Sequence, residues 1–141
     1  MPLERALNVS ASALDAQRSR LEVAVSNIAN AESTRGADGQ PYRRRDVVLG
    51  AQPVDTFDAA LGRADAVGVQ VKGIVEDQSA FRRRYEPSHP DADAEGFVAM
   101  PNVDVPEEMV DMLGAARAYQ ANLTAIGLIR DTIQRALDLG K

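Results

Sequence analysis

The sequence has 141 residues, of which 45% are hydrophobic, 26% are charged and 4% are aromatic, and its formal net charge is −5. These values are typical of one soluble domain of ordinary size whose compact core is small and mostly aliphatic. The negative net charge argues against nucleic acid as the main partner, since binding to phosphate needs a positive field. The absence of cysteine excludes disulfides, thiolate zinc sites and cysteine nucleophiles.

The N-terminal segment shows no targeting signal. Residues 1–8 lack the apolar core of a signal peptide, and no stretch approaches the ~20 apolar residues that cross a bilayer. We therefore expect no direct membrane insertion. The sequence predicts either a cytosolic protein or one exported by a route that needs no cleaved signal.

A repeat of aliphatic residues predicts a long N-terminal helix. The spacing of seven residues gives a helix with one narrow apolar seam, as in coiled coils. The residues of this seam are Leu7, Leu14, Leu21 and Ile28. The pattern fades after Asn30, where residues 32–39 have the composition of a loop. We therefore expect a helix over about residues 3–31.

A second and longer helix is predicted near the C-terminal end. Its seam alternates at intervals of three and four residues, and only Arg130 interrupts its apolar character. The seam residues are Met109, Met112, Ala116, Tyr119, Leu123, Ile126, Arg130, Ile133 and Leu137. Pro106 fits the first turn, where its missing N–H costs no hydrogen bond. Glu107 and Glu108 suit the positive end of the helix dipole, and Gly140 marks the expected end of the helix.

Between the two helices the pattern changes to short strands and turns. Valines at alternate positions of residues 67–71 predict a half-buried strand, and Gly73 marks a bulge or bend in its continuation. Residues 51–66 are expected to form a variable loop with a short helical turn between Phe57 and Leu61. Further strands are predicted over residues 42–49, 81–85 and 97–100.

We therefore predict an α+β fold, in which two long terminal helices form an antiparallel, coiled-coil-like pair around a small β-rich domain. The helical domain combines residues 1–34 and 104–141, and the β-rich domain spans residues 35–103. One narrow seam on each helix buries too little surface to stabilise an isolated helical hairpin, so the seams need each other and helices of other copies. The residues alone thus indicate a subunit of an assembly.

Several polar residues lie close to the predicted seams. Asn27 and Asn30 stand where the first helix ends, so they either cap the helix and shape the turn or select one register of helix pairing. Tyr119 is expected in the core, with its hydroxyl reaching a partner. Gln120 and Asn122 flank it and are candidate interface contacts.

The acidic segment Asp91–Gly96 partly matches a calcium-binding loop. Position twelve of that pattern is Asn102, whereas the loop needs a bidentate glutamate there. We therefore favour a solvated or interfacial acidic turn, and we predict no metal site, no cofactor and no small-molecule substrate. His89 is the only histidine and lies in an apparent exposed turn, so we expect no multi-histidine metal site and no catalytic triad.

Two arginine runs, Arg43–Arg45 and Arg82–Arg84, could indicate a nucleic-acid surface. They have acidic neighbours and no interleaved aromatic residues, in contrast to the surfaces that bind nucleic acids. A solvated face, or a complement to acidic residues on another subunit, is the better interpretation.

Several segments resemble one family of flagellar proteins. Residues 26–34, with the sequence Ser-Asn-Ile-Ala-Asn-Ala-Glu-Ser-Thr, are similar to the N-terminal signature of flagellar rod and hook proteins. Pro41–Arg44 resembles the segment that follows this signature in the FlgC family. Further similarity to the FlgC family in particular lies in residues 89–103, 107–112 and 117–122. The resemblance spans nearly the whole chain and is weakest over residues 52–66.

The resemblance to the FlgC family of proximal-rod proteins implies a structural role and no enzymatic activity. It implies that the terminal helices form the inner layer of a tubular rod, with the strand region outside. The implied partners are copies of the chain, other rod proteins and the flagellar export apparatus of type III. The implied location is the rod in the periplasm, reached without a cleaved signal, where the subunit transmits motor torque for motility.

Other functions stay open on the sequence. Another rod or hook component is disfavoured by the similarity over residues 89–112. A different class is a soluble coiled-coil adaptor whose strand region binds a ligand. Such an adaptor would form a discrete dimer, whereas a rod subunit forms a polymer whose length depends on concentration.

Overall fold

The computed structural model describes residues 2–54 and 67–140. The elements in chain order are α1 (Pro2–Ala29), β1 (Arg45–Pro53), β2 (Val67–Glu76), β3 (Arg82–Tyr85), β4 (Phe97–Met100) and α2 (Val105–Leu139). The strands form two antiparallel pairs, β1–β2 and β3–β4. The predicted α+β arrangement, with long terminal helices around a small strand region, is confirmed. The predicted helical turn between Phe57 and Leu61 lies outside the described residues.

The ends of α2 follow from its sequence. Asp104 is the N-cap, and its carboxylate accepts a hydrogen bond from the backbone N–H of Glu107 at 3.2 Å. Pro106 lies in the first turn, where no intrahelical partner for an N–H exists. The N–H of Gly140 caps the C-terminal end by donating to the carbonyl of Leu137. Within the residues that the structure describes, neither helix is both long enough and apolar enough to cross a bilayer.

The two helices pack along each other in opposite directions. The C-terminal end of α1 meets the N-terminal end of α2, where Asn27 bonds to Glu108. The buried apolar residues are Ala16, Val23, Ala24, Ala31, Val98, Met100, Val103 and Ala115. The core therefore lies where the second half of α1, the strand β4 and the first half of α2 come together.

The buried face of each helix is offset from the predicted seam. In α2 the fully buried residues are Glu108 and Ala115, neither of which belongs to the predicted seam. Met112, Tyr119, Ile126 and Ile133 are half-buried, and the other seam residues of α2 are exposed. In α1 the seam residues Leu7, Leu14, Leu21 and Ile28 are half-buried. Both helices bury small alanines, namely Ala16, Ala24 and Ala115, whereas the longer side chains of the seams keep part of their surface exposed.

The first strand is displaced from its predicted range. Residues 42–49 were predicted, whereas β1 begins at Arg45 and continues to Pro53, so the predicted variable loop does not begin at residue 51. The backbone N–H of Tyr42 donates to Ser33, and that of Arg44 donates to the side chain of Asn102. These bonds remove residues 42–44 from strand pairing.

The hairpin of β1 and β2 has an irregular register and lies against α1. Val48 pairs with Gly73 and Leu49 pairs with Val71, so Lys72 is an extra residue beside Gly73. This confirms the predicted irregularity. The hydroxyl of Ser12 in α1 accepts the N–H of Val69 at 3.1 Å. A Cβ on the buried Gly68 would lie 2.7 Å from that hydroxyl, so the close approach requires glycine.

Candidate assembly interface

Several apolar side chains of α2 are exposed in the single chain. We call this set the outer apolar row of α2; its members are Met109, Val110, Leu113, Leu123 and Leu128. Their exposed fractions range from 40% for Leu123 to 70% for Val110. Extended apolar surface of this kind marks a contact with another molecule more often than a solvated face.

The residues of the predicted seams lie beside this row or within it. Met109 and Leu123 belong to the row, whereas Met112, Tyr119 and Ile126 are half-buried. Gln120 is exposed, and Asn122 is half-buried with its amide donating to the carbonyl of Ala118 at 2.9 Å. The bond of Asn122 is therefore local to α2. The role of all these residues in contacts between subunits stays a prediction.

Asn30 makes the hydrogen bonds of a helix end. Its amide donates to the carbonyl of Ser26 at 2.8 Å, and its side-chain oxygen accepts from the hydroxyl of Ser33 at 3.3 Å. Its backbone carbonyl accepts the N–H of Ser33. These contacts terminate α1 and start the turn that follows, as the capping interpretation expects.

Asn27 is fully buried and all of its side-chain bonding capacity is used. Its amide donates to the carbonyl of Arg45 at 2.8 Å and to the carboxylate of Glu108 at 2.9 Å. Its oxygen accepts the hydroxyl of Tyr42 at 2.9 Å and the backbone N–H of Arg45 at 3.0 Å. Asn27 thus connects three parts of the chain, namely α1, the start of β1 and the start of α2.

Glu108 is the second buried polar residue of this cluster, with 2% of its surface exposed. One carboxylate oxygen accepts from Asn27, and the other accepts a charge-assisted hydrogen bond from the Nε of Arg44. Burial alone would lower the pKa of Arg44. The hydrogen bond and the charge of Glu108, with Asp46 and Glu107 nearby, outweigh that effect and raise the pKa above its ordinary value. The guanidinium therefore stays charged.

Asn102 holds the segment that carries Arg44. Its side-chain oxygen accepts the backbone N–H of Arg44 at 2.8 Å, and its amide donates to the hydroxyl of Ser79 at 2.8 Å and to the carbonyl of Asp77 at 3.1 Å. The N–H of Asp77 in turn donates to the carbonyl of Arg44 at 2.8 Å. From the sequence, Glu108 was assigned only to the helix dipole, and the run Arg43–Arg45 to a solvated face or to a complement of acidic residues on another subunit. The structure instead pairs Arg44 with Glu108 of the same chain. Asn102 had been considered only as position twelve of the calcium pattern. No local pattern distinguishes Glu108 from an ordinary acidic residue of a first helical turn.

The acidic turn pairs with arginines of the same chain. Asp93 lies 2.8 Å from the guanidinium of Arg83 and accepts backbone N–H groups of Glu95 and Phe97. Asp91 accepts the hydroxyl of Thr34 at 2.9 Å. Among the described residues, no group of three or more His, Asp or Glu side chains has the geometry to hold a metal ion. The carboxylates of Asp91 and Asp93 thus have their partners within the same chain.

The pKa of Asp93 gives this turn a pH dependence. The N–H of Phe97 and the guanidinium of Arg83 lower that pKa below its ordinary value. In the unfolded chain the pKa of aspartate is about 3.9. Because the pKa of Asp93 is lower in the folded chain, its ionised carboxylate stabilises the fold above the unfolded pKa. This contribution is lost as the pH falls through the folded pKa. We expect Asp93→Asn to unfold at a lower temperature than the parent at pH 7, with a smaller difference at pH 3. The exposed control Asp131→Asn should show no such difference.

The same measurement tests the calcium interpretation. Thermal unfolding followed by circular dichroism should be unchanged by millimolar calcium or by a chelator, because the carboxylates already have partners. A rise of several degrees with calcium, absent in Asp93→Asn, would contradict this account of the turn.

Comparison with known proteins relates the two helices to one family. One matching model, described as "Flagella basal body rod protein", covers residues 7–37, and another, "Flagellar basal body rod FlgEFG protein C-terminal", covers residues 94–139. The flagellar basal-body rod protein FlgC of Salmonella typhimurium is 45% identical over 141 residues, which is the full length of both chains. This chain belongs to the FlgC family. FlgC of Bacillus subtilis is 45% identical over 145 residues, covering 96% of each chain. FlgC of Borreliella burgdorferi is 38% identical over 151 residues, covering 97% of each chain.

Membership of the FlgC family establishes the class of function. The chain is a structural subunit of the flagellar basal-body rod and is not an enzyme. The two matched segments contain most of α1 and most of α2. Asn27 and Glu108, the two buried polar residues in the described part of the chain, therefore lie in segments typical of rod proteins.

Proposed function

We propose that this chain builds the proximal part of the flagellar rod by packing its terminal helices against those of neighbouring subunits. The observation that carries the proposal is the outer apolar row of α2, whose side chains are exposed in the single chain. Burying such side chains against another helix removes apolar area from water at about 25 cal/mol per Å². The neighbours are copies of the chain and other rod proteins.

The proposal extends to the organisation of the subunit in the rod. Residues 1–34 and 104–141 form the inner, rod-core domain, and residues 35–103 form the outer domain. The chain is exported by the flagellar type III apparatus without a cleaved signal and reaches the rod in the periplasm. There the packed helices transmit torque from the motor, which is the mechanical function of a drive shaft. Membership of the FlgC family and the exposed helical surface support these statements.

Electron micrographs of isolated basal bodies test the function. In a strain that lacks the gene we expect basal bodies without a complete rod and hook, and cells that do not swim. The intact gene supplied on a plasmid should restore both. Complete rods in the deletion strain would contradict the proposal.

Sedimentation of the purified chain separates a rod subunit from a coiled-coil adaptor. A rod subunit should form species whose mass grows with protein concentration, because helix packing between copies does not close on itself. A discrete dimer at all concentrations would favour the adaptor.

A further inference from the structure

The buried cluster draws most of its hydrogen bonds from a segment outside both helices. Three of the four bonds of the Asn27 side chain go to Tyr42 and Arg45. The only cation hydrogen-bonded to Glu108, within the described residues, is Arg44. The segment Tyr42–Arg45 therefore completes the contact between α1 and α2.

Without that segment, the same helix contact would lose most of its polar partners within the chain. The side-chain oxygen of Asn27 would lose both of its donors, and Glu108 would keep one hydrogen bond and lose its counter-charge. Arg20 of α1 lines the same small cavity, but its guanidinium bonds to Gln17 at 3.3 Å. Asp111 and Asp46 also line this cavity, and both carry the same charge as Glu108. A buried carboxylate whose partner is removed destabilises a contact far more than an exposed one does.

We propose that Asn27, Arg44 and Glu108 form a folding lock, which permits pairing of the two terminal helices only after the segment Tyr42–Arg45 has docked. Docking of that segment depends in turn on Asn102 and on the turn after β2, through the bonds of the Arg44 backbone. Pairing of the helices is thus conditional on folding of the residues between them. The inference goes beyond the proposed function and does not rest on it.

The lock has a consequence for incomplete chains. A chain whose middle region is unfolded keeps its helices apart, and it does not present the paired helix surface. The polar cluster costs stability relative to an apolar contact of the same size, and in return it excludes helix pairing in a chain that has not folded.

Hydrogen exchange on the purified full-length chain tests the lock. Arg44→Met leaves the Glu108 charge buried without its cation, so we expect amides of residues 20–28 and 106–115 to exchange at least about a hundredfold faster. In the Glu108→Met background the same Arg44→Met substitution should change these rates less than about threefold, since apolar replacement of both partners is often neutral. Arg83→Met removes an exposed arginine that also has acidic partners, and it should leave these amides within about threefold of the parent.

A second substitution tests whether pairing depends on the docked segment. Asn102→Ala releases the backbone of Arg44, and the side-chain bonds that it removes go to residues outside both helices. We expect it to accelerate exchange in the helices about tenfold in the parent and less than about twofold in the Glu108→Met background.

Equal effects of Arg44→Met in the two backgrounds would overturn the proposal, because Arg44 would then contribute packing only. Unchanged helix exchange in Arg44→Met or in Asn102→Ala would also overturn it. If Arg44→Met does not fold, the double variant Arg44→Met/Glu108→Met must recover the helical circular dichroism, and failure to recover it would overturn the lock. All of these measurements are made at concentrations at which sedimentation shows only the monomer, so failure of rod assembly is a separate result.

Discussion

Asn27→Asp is expected to lower the free energy of unfolding by about 3–5 kcal/mol. Aspartate has the shape of asparagine, so packing is retained. It loses the two amide donors that reach Arg45 and Glu108, and it places a carboxylate 2.9 Å from the buried carboxylate of Glu108. Such a loss is a large share of the ~5–15 kcal/mol that stabilises a typical domain. Urea unfolding at pH 7, followed by circular dichroism, measures it.

A matched control is available in the other helix. Asn122 is half-buried and its amide makes one bond, to the carbonyl of Ala118 within the same helix. Asn122→Asp should therefore lower the free energy of unfolding by about 1 kcal/mol or less. Equal losses of unfolding free energy in the two variants would show that the bonds of Asn27 within the cluster add no more stability than the single bond of Asn122.

Leu123→Asp is expected to abolish swimming while the chain stays folded. Leu123 belongs to the outer apolar row and is 40% exposed in the single chain, so the isolated subunit tolerates a charge there. In the rod, the same charge would enter a contact from which water is excluded, and an unpaired buried charge is strongly unfavourable. Swimming in soft agar, together with the helical signal of the purified variant, tests both halves of the prediction.

Two further variants serve as comparisons for Leu123→Asp. Ile126 is half-buried in the single chain, so Ile126→Asp should reduce both swimming and the stability of the single chain. Gln70→Asp introduces a charge on an exposed strand residue and should leave both unchanged. Normal swimming of the Leu123→Asp strain would refute the assignment of the outer apolar row to subunit packing.

The elements of the fold were predictable because their patterns are local. The heptad repeat of α1 and the alternation in α2, with its end signals, predict helices that end within two residues of the observed bounds. The irregularity near Gly73 is indicated by the glycine itself. The start of β1 was not predictable. It depends on the bond between the backbone of Arg44 and the side chain of Asn102, which are 58 residues apart in the sequence.

The faces of the helices were harder to assign. Residues spaced by three and four mark one stripe, and periodicity alone does not say which side of that stripe packs inside the chain. Here Glu108 and Ala115 are the fully buried residues of α2, whereas Met109 and Leu123 are exposed. A buried glutamate cannot be inferred from a helical pattern, because its position near the helix start already explains an acidic residue.

Of the four buried apolar residues that the structure describes within the two helices, three are alanines, namely Ala16, Ala24 and Ala115. Alanine has no side-chain rotamers, so this part of the contact cannot relax by turning a torsion angle when the helices are bent or sheared. Longer side chains with several torsions, such as Met112, are only half-buried and can adjust. The helix pair thus has a stiff buried contact, and a rod built from such pairs would deform mainly at the contacts between subunits.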